Sequence, residues 1–343
     1  MCRVLSMSAR DRLFVRCNRG APMAVIHGVE CGRLRGKVWR CAFTLALALA
    51  SLTGAAAFGQ STKNGEAKAL QLGLVSEINK LAIEENFRDF VRYVSRRTVA
   101  GTEAGARVVI APTPFELARL LEQRRVDFYL ESVYPTYTIN YVHGAGKTLL
   151  RRWKGGQAEY QSLIFTKRDG GIKQLADLRG KTIIFEDPGS SSGYLMPKLF
   201  LSRNGYKLAE KKGYDANAAT ADIYYSFAYL RSKLIEAVLT QQVAAGAISD
   251  DDYNGLDEKR KSAIAILAQT ERLPRHLLSV RSDLAPQFIG QLTDVLVAMH
   301  DDAEGQRILK KTDQTTKFDL LPGGEAALRK RLLDSFFSPD TKK

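Results

Sequence analysis

Three consecutive serines stand in the middle of the chain, directly after a proline and a glycine. They are Ser190, Ser191 and Ser192, in the stretch DPGSSSGY. The preceding residues, 181–186 (KTIIFE), form an apolar run typical of a buried strand, and apolar residues at helical spacing follow. The serines thus stand at the start of a helix, where free N–H groups and the helix dipole attract negative charge. We predict an anion-binding turn here. The alternative is that one serine caps the helix and the others face solvent.

A second set of polar residues follows another predicted strand, residues 126–130 (VDFYL). Ser132 and Tyr134 lie in the next stretch, ESVYPT, which places the Tyr134 hydroxyl at the carboxyl end of that strand. Ser76 has the same location after the first predicted strand, residues 69–75. Ligands of open α/β sheets bind outside the carboxyl ends of the strands, so we predict ligand contacts for these residues. For Tyr134, ordinary packing at the rim of a cleft explains the pattern equally well.

Hydrophobic periodicity predicts the elements that position these residues. The predicted strands span residues 69–75, 107–111, 126–130, 160–166, 181–186, 243–248, 263–268 and 276–281. The predicted helices span residues 79–97, 113–122, 229–242, 286–300, 302–311 and 324–336, and a further helix follows the serine turn. Strands and helices alternate twice, which predicts two α/β halves with parallel strands flanked by helices. Strands that return between the halves would make a two-lobed molecule with a ligand cleft.

The first 59 residues differ in composition from the rest of the chain. They contain all four cysteines and a basic segment, residues 32–40. An apolar run, residues 41–52, and small residues at 54–59 complete the pattern of a secretory signal peptide. We predict that residues 1–59 are a cleaved leader that exports the protein to the periplasm. An uncleaved anchor and a cytosolic apolar helix are the alternatives.

The remaining residues, 60–343, have no cysteine and a smaller net charge. Of 51 Lys and Arg, 42 remain, and of 37 Asp and Glu, 35 remain, so the net charge falls from +14 to +7. This excludes disulfides and cysteine-based zinc sites, and nucleic acid is not an expected partner. The histidines, His143, His276 and His300, are far apart in sequence, and we predict no metal, cofactor or catalytic residue. We interpret the basic stretch 151–154 (RRWK) as a surface or partner contact.

Four stretches resemble the phosphate, phosphite and phosphonate substrate-binding proteins of ABC transporters, which have a type 2 periplasmic-binding fold. The stretches are residues 72–95, 111–137, 175–201 and 238–249, and the DPGSSSGY turn is the most specific. The resemblance implies an α/β fold of two lobes, each a mixed sheet flanked by helices, with the cleft between them. It implies that residues 60–158 begin lobe 1, residues 159–277 form lobe 2, and residues 278–343 are C-terminal helices returning to lobe 1.

The resemblance also implies a function without chemistry. The protein would be the solute-binding component of a transporter, a monomer that closes over a phosphorus oxyanion and delivers it to an inner-membrane permease. In this family the serine-rich turn holds the oxyanion, which implicates Ser190, Ser191 and Ser192 together with the N–H of Gly193. A tyrosine of the first lobe also contacts the ligand, and Tyr134 is the best match.

The chain departs from the family at two positions. Binders of aminoalkylphosphonates have acidic residues at positions that match Ala244 and Ser232 here. Because an ammonium group without counter-charges is costly in a desolvated site, we expect phosphate, phosphite or a simple alkylphosphonate as the ligand. Two other functions are compatible with the fold: a periplasmic sensory module for a membrane signalling receptor, and an enzyme on the same scaffold.

Overall fold

A computed structural model describes residues 69–98, 101–211 and 222–337 of the chain. The predicted leader, residues 1–59, lies outside these ranges, so the cleaved signal peptide stays a prediction. None of the helices within the described ranges is both long enough and apolar enough to cross a membrane.

Strands and helices alternate through most of the described chain. The strands are β1 (Gln71–Val75), β2 (Arg107–Ala111), β3 (Phe128–Glu131), β4 (Gly146–Lys154), β5 (Glu159–Tyr160), β6 (Ser162–Lys167), β7 (Lys181–Phe185), β8 (Leu208–Glu210), β9 (Ile223–Phe227), β10 (Ala245–Ser249), β11 (Ile264–Gln269), β12 (Leu273–Pro274), β13 (His276–Arg281) and β14 (Thr315–Leu320). The α-helices are α1 (Lys80–Arg97), α2 (Pro114–Glu122), α3 (Val133–Tyr137), α4 (Met196–Arg203), α5 (Arg231–Leu239), α6 (Asp250–Asn254), α7 (Glu258–Ala263), α8 (Pro286–Val297), α9 (Ala303–Lys311) and α10 (Gly324–Phe337).

The first sheet has the order β14-β4-β13-β3-β1-β2. Its strands β1, β2 and β3 are parallel, as the alternation of strands and helices predicts, whereas β13 and β4 run antiparallel to their neighbours. Helix α1 packs its apolar stripe, including Phe90 and Val94, into the core of this sheet. Each such fully buried side chain contributes about 1.5–3 kcal/mol to folding.

The second sheet has the order β11-β6-β10-β7-β9-β8. Strands β7, β9 and β10 are parallel, and β6 and β11 are antiparallel to their neighbours. The chain passes between the two sheets through β5 and β12, which pair with each other as a short two-stranded ribbon. These features confirm the predicted α/β architecture of two mixed sheets flanked by helices.

Helix α10 packs against segments that belong to both sheets. Its residues Leu332 and Phe336 lie in one apolar cluster with Val133, which follows β3, and Met196, the first residue of α4. All four side chains are at most 5% exposed. The C-terminal helix therefore holds the elements that carry the two predicted halves of the site.

The interpretation of residues 151–154 as a surface contact was wrong for Arg152. These residues lie in β4, and the Arg152 side chain is 1% exposed. Its Nε donates to Thr315 Oγ1 at 2.7 Å, and its Nη2 donates to the carbonyl oxygen of Asp313 at 2.7 Å. Because β14 and the turn before it supply these acceptors from a distant part of the sequence, the basic stretch alone gave no sign that Arg152 is buried.

Candidate ligand-binding cleft

A cavity of about 360 Å³ lies at the carboxyl ends of the parallel strands of both sheets. The first sheet contributes the loops that follow β1, β2 and β3, including Ser76 and Tyr134. The second sheet contributes the turn after β7, including Asp187 and Ser190, and Tyr229, which follows β9. This is the location at which open α/β sheets bind ligands.

The serine turn is built by short-range hydrogen bonds. Strand β7 ends at Phe185, and Oδ1 of Asp187 accepts a hydrogen bond from the N–H of Gly189 at 2.8 Å. One π-helical turn (Ser191–Leu195) then leads into α4. Ser190 Oγ caps this helical segment because it accepts a hydrogen bond from the N–H of Gly193 at 3.0 Å. The same hydroxyl donates to Glu186 Oε2 at 2.9 Å.

Gly193 is required by the close approach of the turn to its own strand. A Cβ atom at this position would lie 2.6 Å from Glu186 Cβ and 2.8 Å from Ser190 Oγ. Both distances are shorter than normal contacts between such atoms. The absence of a side chain therefore lets the helix begin directly above the end of β7.

The three serines have different locations. Ser190 lines the cavity, whereas Ser191 and Ser192 are 1% and 7% exposed and lie behind it. Ser191 Oγ donates to Ser132 Oγ at 2.8 Å and accepts from the N–H of Tyr134 at 2.9 Å. Ser191 thus joins the serine turn to the segment that follows β3.

The residues predicted on the first sheet lie at the same cavity. Ser76, Ser132 and Tyr134 all line it. Ser76 Oγ donates to the carbonyl oxygen of Ile78 at 2.5 Å and so shapes its own loop. Burial raises the pKa of the Tyr134 hydroxyl, so this group stays protonated at neutral pH and can donate a hydrogen bond.

Sequence reasoning assigned no role to four carboxyl groups that line the cavity. They are Glu77, Glu131, Glu186 and Asp187. Glu131 is the last residue of β3, and Glu186 and Asp187 directly follow β7, so their position at the carboxyl ends of strands was the signal that could have identified them. None of the described residues that line the cavity is Lys, Arg or His. The cavity therefore combines hydroxyl donors with an unusual number of acids.

Burial changes the proton affinity of these acids. It raises the pKa of the Glu131 carboxyl to about 8. The charge of Asp187 also raises this pKa, whereas hydrogen bonds from the N–H groups of Val75 and Ser132 lower it. Burial also raises the pKa of Glu186, against the influence of Arg231, whose guanidinium lies 3.6 Å from its carboxylate. The pKa of Asp187 is raised for the same reason. At neutral pH the cavity thus carries less negative charge than its composition indicates.

Ala244 and Ser232, on which the argument against aminoalkylphosphonates was based, do not line the cleft. Ala244 lies beside Thr182 at the amino end of strands β7 and β10 and lines a different cavity, whereas the serine turn follows the carboxyl end of β7. Ser232 lies in α5, on a separate groove with Glu236. Since neither residue lines the cleft, neither bears on whether an ammonium group has a counter-charge there.

The match to a family model covers residues 72–321, and the model describes the periplasmic substrate-binding protein of phosphonate ABC transporters. A curated relative is the phosphate-import protein PhnD of Mycolicibacterium smegmatis, which is 25% identical over 193 residues. The match covers 55% of this chain and 58% of that relative, so the chain spans less than two thirds of the relative's length.

Solved structures of similar proteins have the same fold. XAC2383 from Xanthomonas citri, bound to chloride ion, superposes with a TM-score of 0.69 at 25% identity, over 78% of this chain and 96% of its own. PhnD1 from Prochlorococcus marinus in complex with methylphosphonate has a TM-score of 0.59 at 15% identity, over 78% of this chain and 97% of its own. Because the family model spans well over half of its length, this chain belongs to the family of periplasmic substrate-binding proteins of phosphonate ABC transporters.

Proposed function

We propose that this protein captures a phosphorus oxyanion in the cleft described above and delivers it to an inner-membrane permease without performing chemistry. The observation that carries the proposal is the convergence of Ser190, Tyr134 and Ser132 on one cavity at the carboxyl ends of the strands. Family membership supports the role in transport. The names of two similar proteins, a phosphate importer and a methylphosphonate complex, support the class of ligand.

In this proposal the oxyanion lies against the start of the helix that Ser190 caps. The first N–H groups of a helix have no partner within the helix, and they favour negative charge. The Ser190 hydroxyl can turn from Glu186 to a ligand oxygen, and Tyr134 donates from the opposite side of the cavity. Ser191 and Ser192 support the turn from behind, and Gly193 provides the N–H that fixes Ser190.

Phosphate, phosphite and simple alkylphosphonates are the proposed ligands. Aminoalkylphosphonates belong in the same test, because the argument against them rested on Ala244 and Ser232, which lie outside the cleft. Calorimetry of the purified protein with phosphate, phosphite, methylphosphonate, aminoethylphosphonate and sulfate measures the order of affinity. The proposal expects the phosphorus oxyanions to bind more tightly than sulfate. If none of the phosphorus ligands binds, the proposed function is wrong.

We further propose that the protein acts as a monomer in the periplasm after export by the predicted leader. Its lobes would close by a hinge at the ribbon of β5 and β12, where the chain passes between the sheets. Fractionation of cells that express the full chain tests the location. Size-exclusion chromatography with light scattering tests the oligomeric state.

A further inference from the structure

We infer that the cleft binds its oxyanion together with a proton taken up from water, and that the carboxyl group of Glu131 holds this proton in the complex. The inference rests on the proposed function and adds to it a residue that couples affinity to pH.

Glu131 is the last residue of β3 and lies at the base of the cavity. Its side chain is 9% exposed, although it lines the cavity wall. Oε1 accepts a hydrogen bond from the N–H of Val75 at 2.5 Å, which fixes the carboxyl group against the end of β1. Glu131 forms no ion pair with a Lys, Arg or His in the described parts of the chain. An ionised carboxylate here would therefore lack a counter-charge.

The surrounding groups increase the cost of that negative charge. The titratable side chains that share the cavity are Glu77 after β1, Glu186 and Asp187 after β7, Tyr134 in α3 and Tyr229 after β9. On β13 the residue that pairs with Glu131 is the apolar Leu277. Among the described residues, Arg231 forms an ion pair with one of these acids, Glu186, at 3.6 Å, and this guanidinium also pairs with Asp252 at 3.1 Å.

An oxyanion that enters this cavity adds a further negative charge beside Glu131. Two like charges in a partly desolvated site repel each other strongly, and a proton on one of them removes the repulsion. A protonated carboxyl group can also donate a hydrogen bond to the oxyanion, which an ionised one cannot. Burial already holds the pKa of Glu131 at about 8 before the ligand arrives. A neighbouring anion raises it further.

The coupling has a definite sign. Below pH 7 Glu131 is already protonated, so its protonation state leaves the affinity unchanged. Above pH 8 the free protein must take up a proton to bind, and Glu131 alone makes the affinity about tenfold lower at pH 9 than at pH 7. The uptake on binding amounts to about half a proton at pH 8 and about one proton at pH 9.

The experiment is calorimetric titration with methylphosphonate at pH 7, 8 and 9, in pairs of buffers that differ in ionisation enthalpy. The wild type is compared with Glu131→Gln, whose amide is always neutral and can still donate. The titration of methylphosphonate itself is common to both proteins and cancels in the comparison. Glu236→Gln is the matched control, because it removes a carboxyl group from an exposed position of α5 that does not line this cavity.

We expect Glu131→Gln to bind at pH 7 and to show neither the tenfold weaker affinity nor the extra proton uptake at pH 9, whereas Glu236→Gln shows both. Equal proton uptake by the wild type and Glu131→Gln would overturn the inference and leave the proposed function intact. Loss of binding by Glu131→Gln at pH 7 would also overturn it, because an ionised carboxylate would then be the binding form. Should the glutamine variant not fold, Glu131→Met gives the same pH test. If the wild type binds none of the phosphorus oxyanions, both the proposed function and the role of Glu131 are wrong.

Phosphorus NMR of bound methylphosphonate gives a second readout on the wild type alone. If the proton is on Glu131, the bound ligand has the chemical shift of its dianion at pH 9. The shift of the monoanion would place the proton on the ligand and contradict the inference.

Discussion

Replacement of Glu131 by glutamine should make the ligand-free protein progressively more stable, relative to the wild type, as the pH rises from 5 to 8. In the folded protein burial raises the pKa of this carboxyl from its ordinary 4.5 to about 8. Over this range the unfolded chain releases its proton while the folded protein keeps it, so the wild type loses stability as the pH rises. The loss ends when the folded carboxyl ionises near pH 8.

The magnitude follows from the two pKa values. A difference of one pKa unit corresponds to about 1.4 kcal/mol, so the full effect is about 5 kcal/mol and the part between pH 5 and pH 8 about 4 kcal/mol. The carboxyl group has two oxygens that can accept from the N–H groups of Val75 and Ser132, whereas the glutamine amide has one, so we expect one of these hydrogen bonds to be lost. The lost hydrogen bond costs about 1–3 kcal/mol at every pH and does not change the slope.

The assay is urea unfolding of both proteins at pH 5, 6, 7 and 8, with Glu236→Gln as the control. Glu236 is an exposed residue of α5, and its replacement removes the same charge far from the cleft. We expect the difference in free energy of unfolding between Glu131→Gln and the wild type to grow with pH. The difference between Glu236→Gln and the wild type should stay near zero. A difference that is constant from pH 5 to pH 8 would show that Glu131 titrates alike in the folded and unfolded states and that burial does not raise its pKa.

Three further substitutions test other parts of the site. Ser191→Ala removes the hydrogen bonds between the serine turn and the segment of Ser132. It should lower the free energy of unfolding by about 1 kcal/mol and enlarge the ligand-free protein in small-angle X-ray scattering. An unchanged scattering profile would argue against a link between the lobes. Gly193→Ala places a Cβ atom 2.6 Å from Glu186 Cβ. It should lower the stability measured by thermal unfolding by about 1–3 kcal/mol. A melting temperature equal to that of the wild type would contradict the close approach of the turn to its strand. Phe115→Ala removes an exposed aromatic ring at the rim of the cavity. It should weaken the binding of phenylphosphonate about tenfold in calorimetry and change phosphate binding little. Equal effects on the two ligands would show that the ring does not contact the phenyl group.

The parts of the fold that the sequence predicted are those with clear local patterns. Strands β1, β2 and β3 alternate with amphipathic helices, and their parallel pairing follows from that order. The serine turn was equally clear, because a strand, a Pro-Gly pair and a helix start follow one another directly. Strands β4 and β14 were missed because charged residues interrupt their apolar pattern, and their partners come from distant parts of the chain.

The site was predicted less completely than the fold. Which of three adjacent serines faces the cavity depends on where the helix begins, and Ser190 is the residue that caps it. The unusual proton affinity of Glu131 depends on burial, which residue type does not reveal. The misinterpretation of Ala244 had a similar cause, because only the register of β10 against β7 shows at which end of the sheet a residue lies.

In the proposed function the phosphorus oxyanion binds at the start of the helix that Ser190 caps. The most direct test is calorimetry of the wild type and Ser190→Ala with phosphate, phosphite and methylphosphonate. Ser202→Ala is the matched control, since Ser202 is an exposed serine of the same helix, α4. A hydrogen bond to a charged group is worth about 1.5–3 kcal/mol, so we predict an affinity about 10- to 100-fold lower for Ser190→Ala and unchanged for the control. Wild-type affinity in Ser190→Ala, or no binding of any of the three ligands by the wild type, would contradict the account.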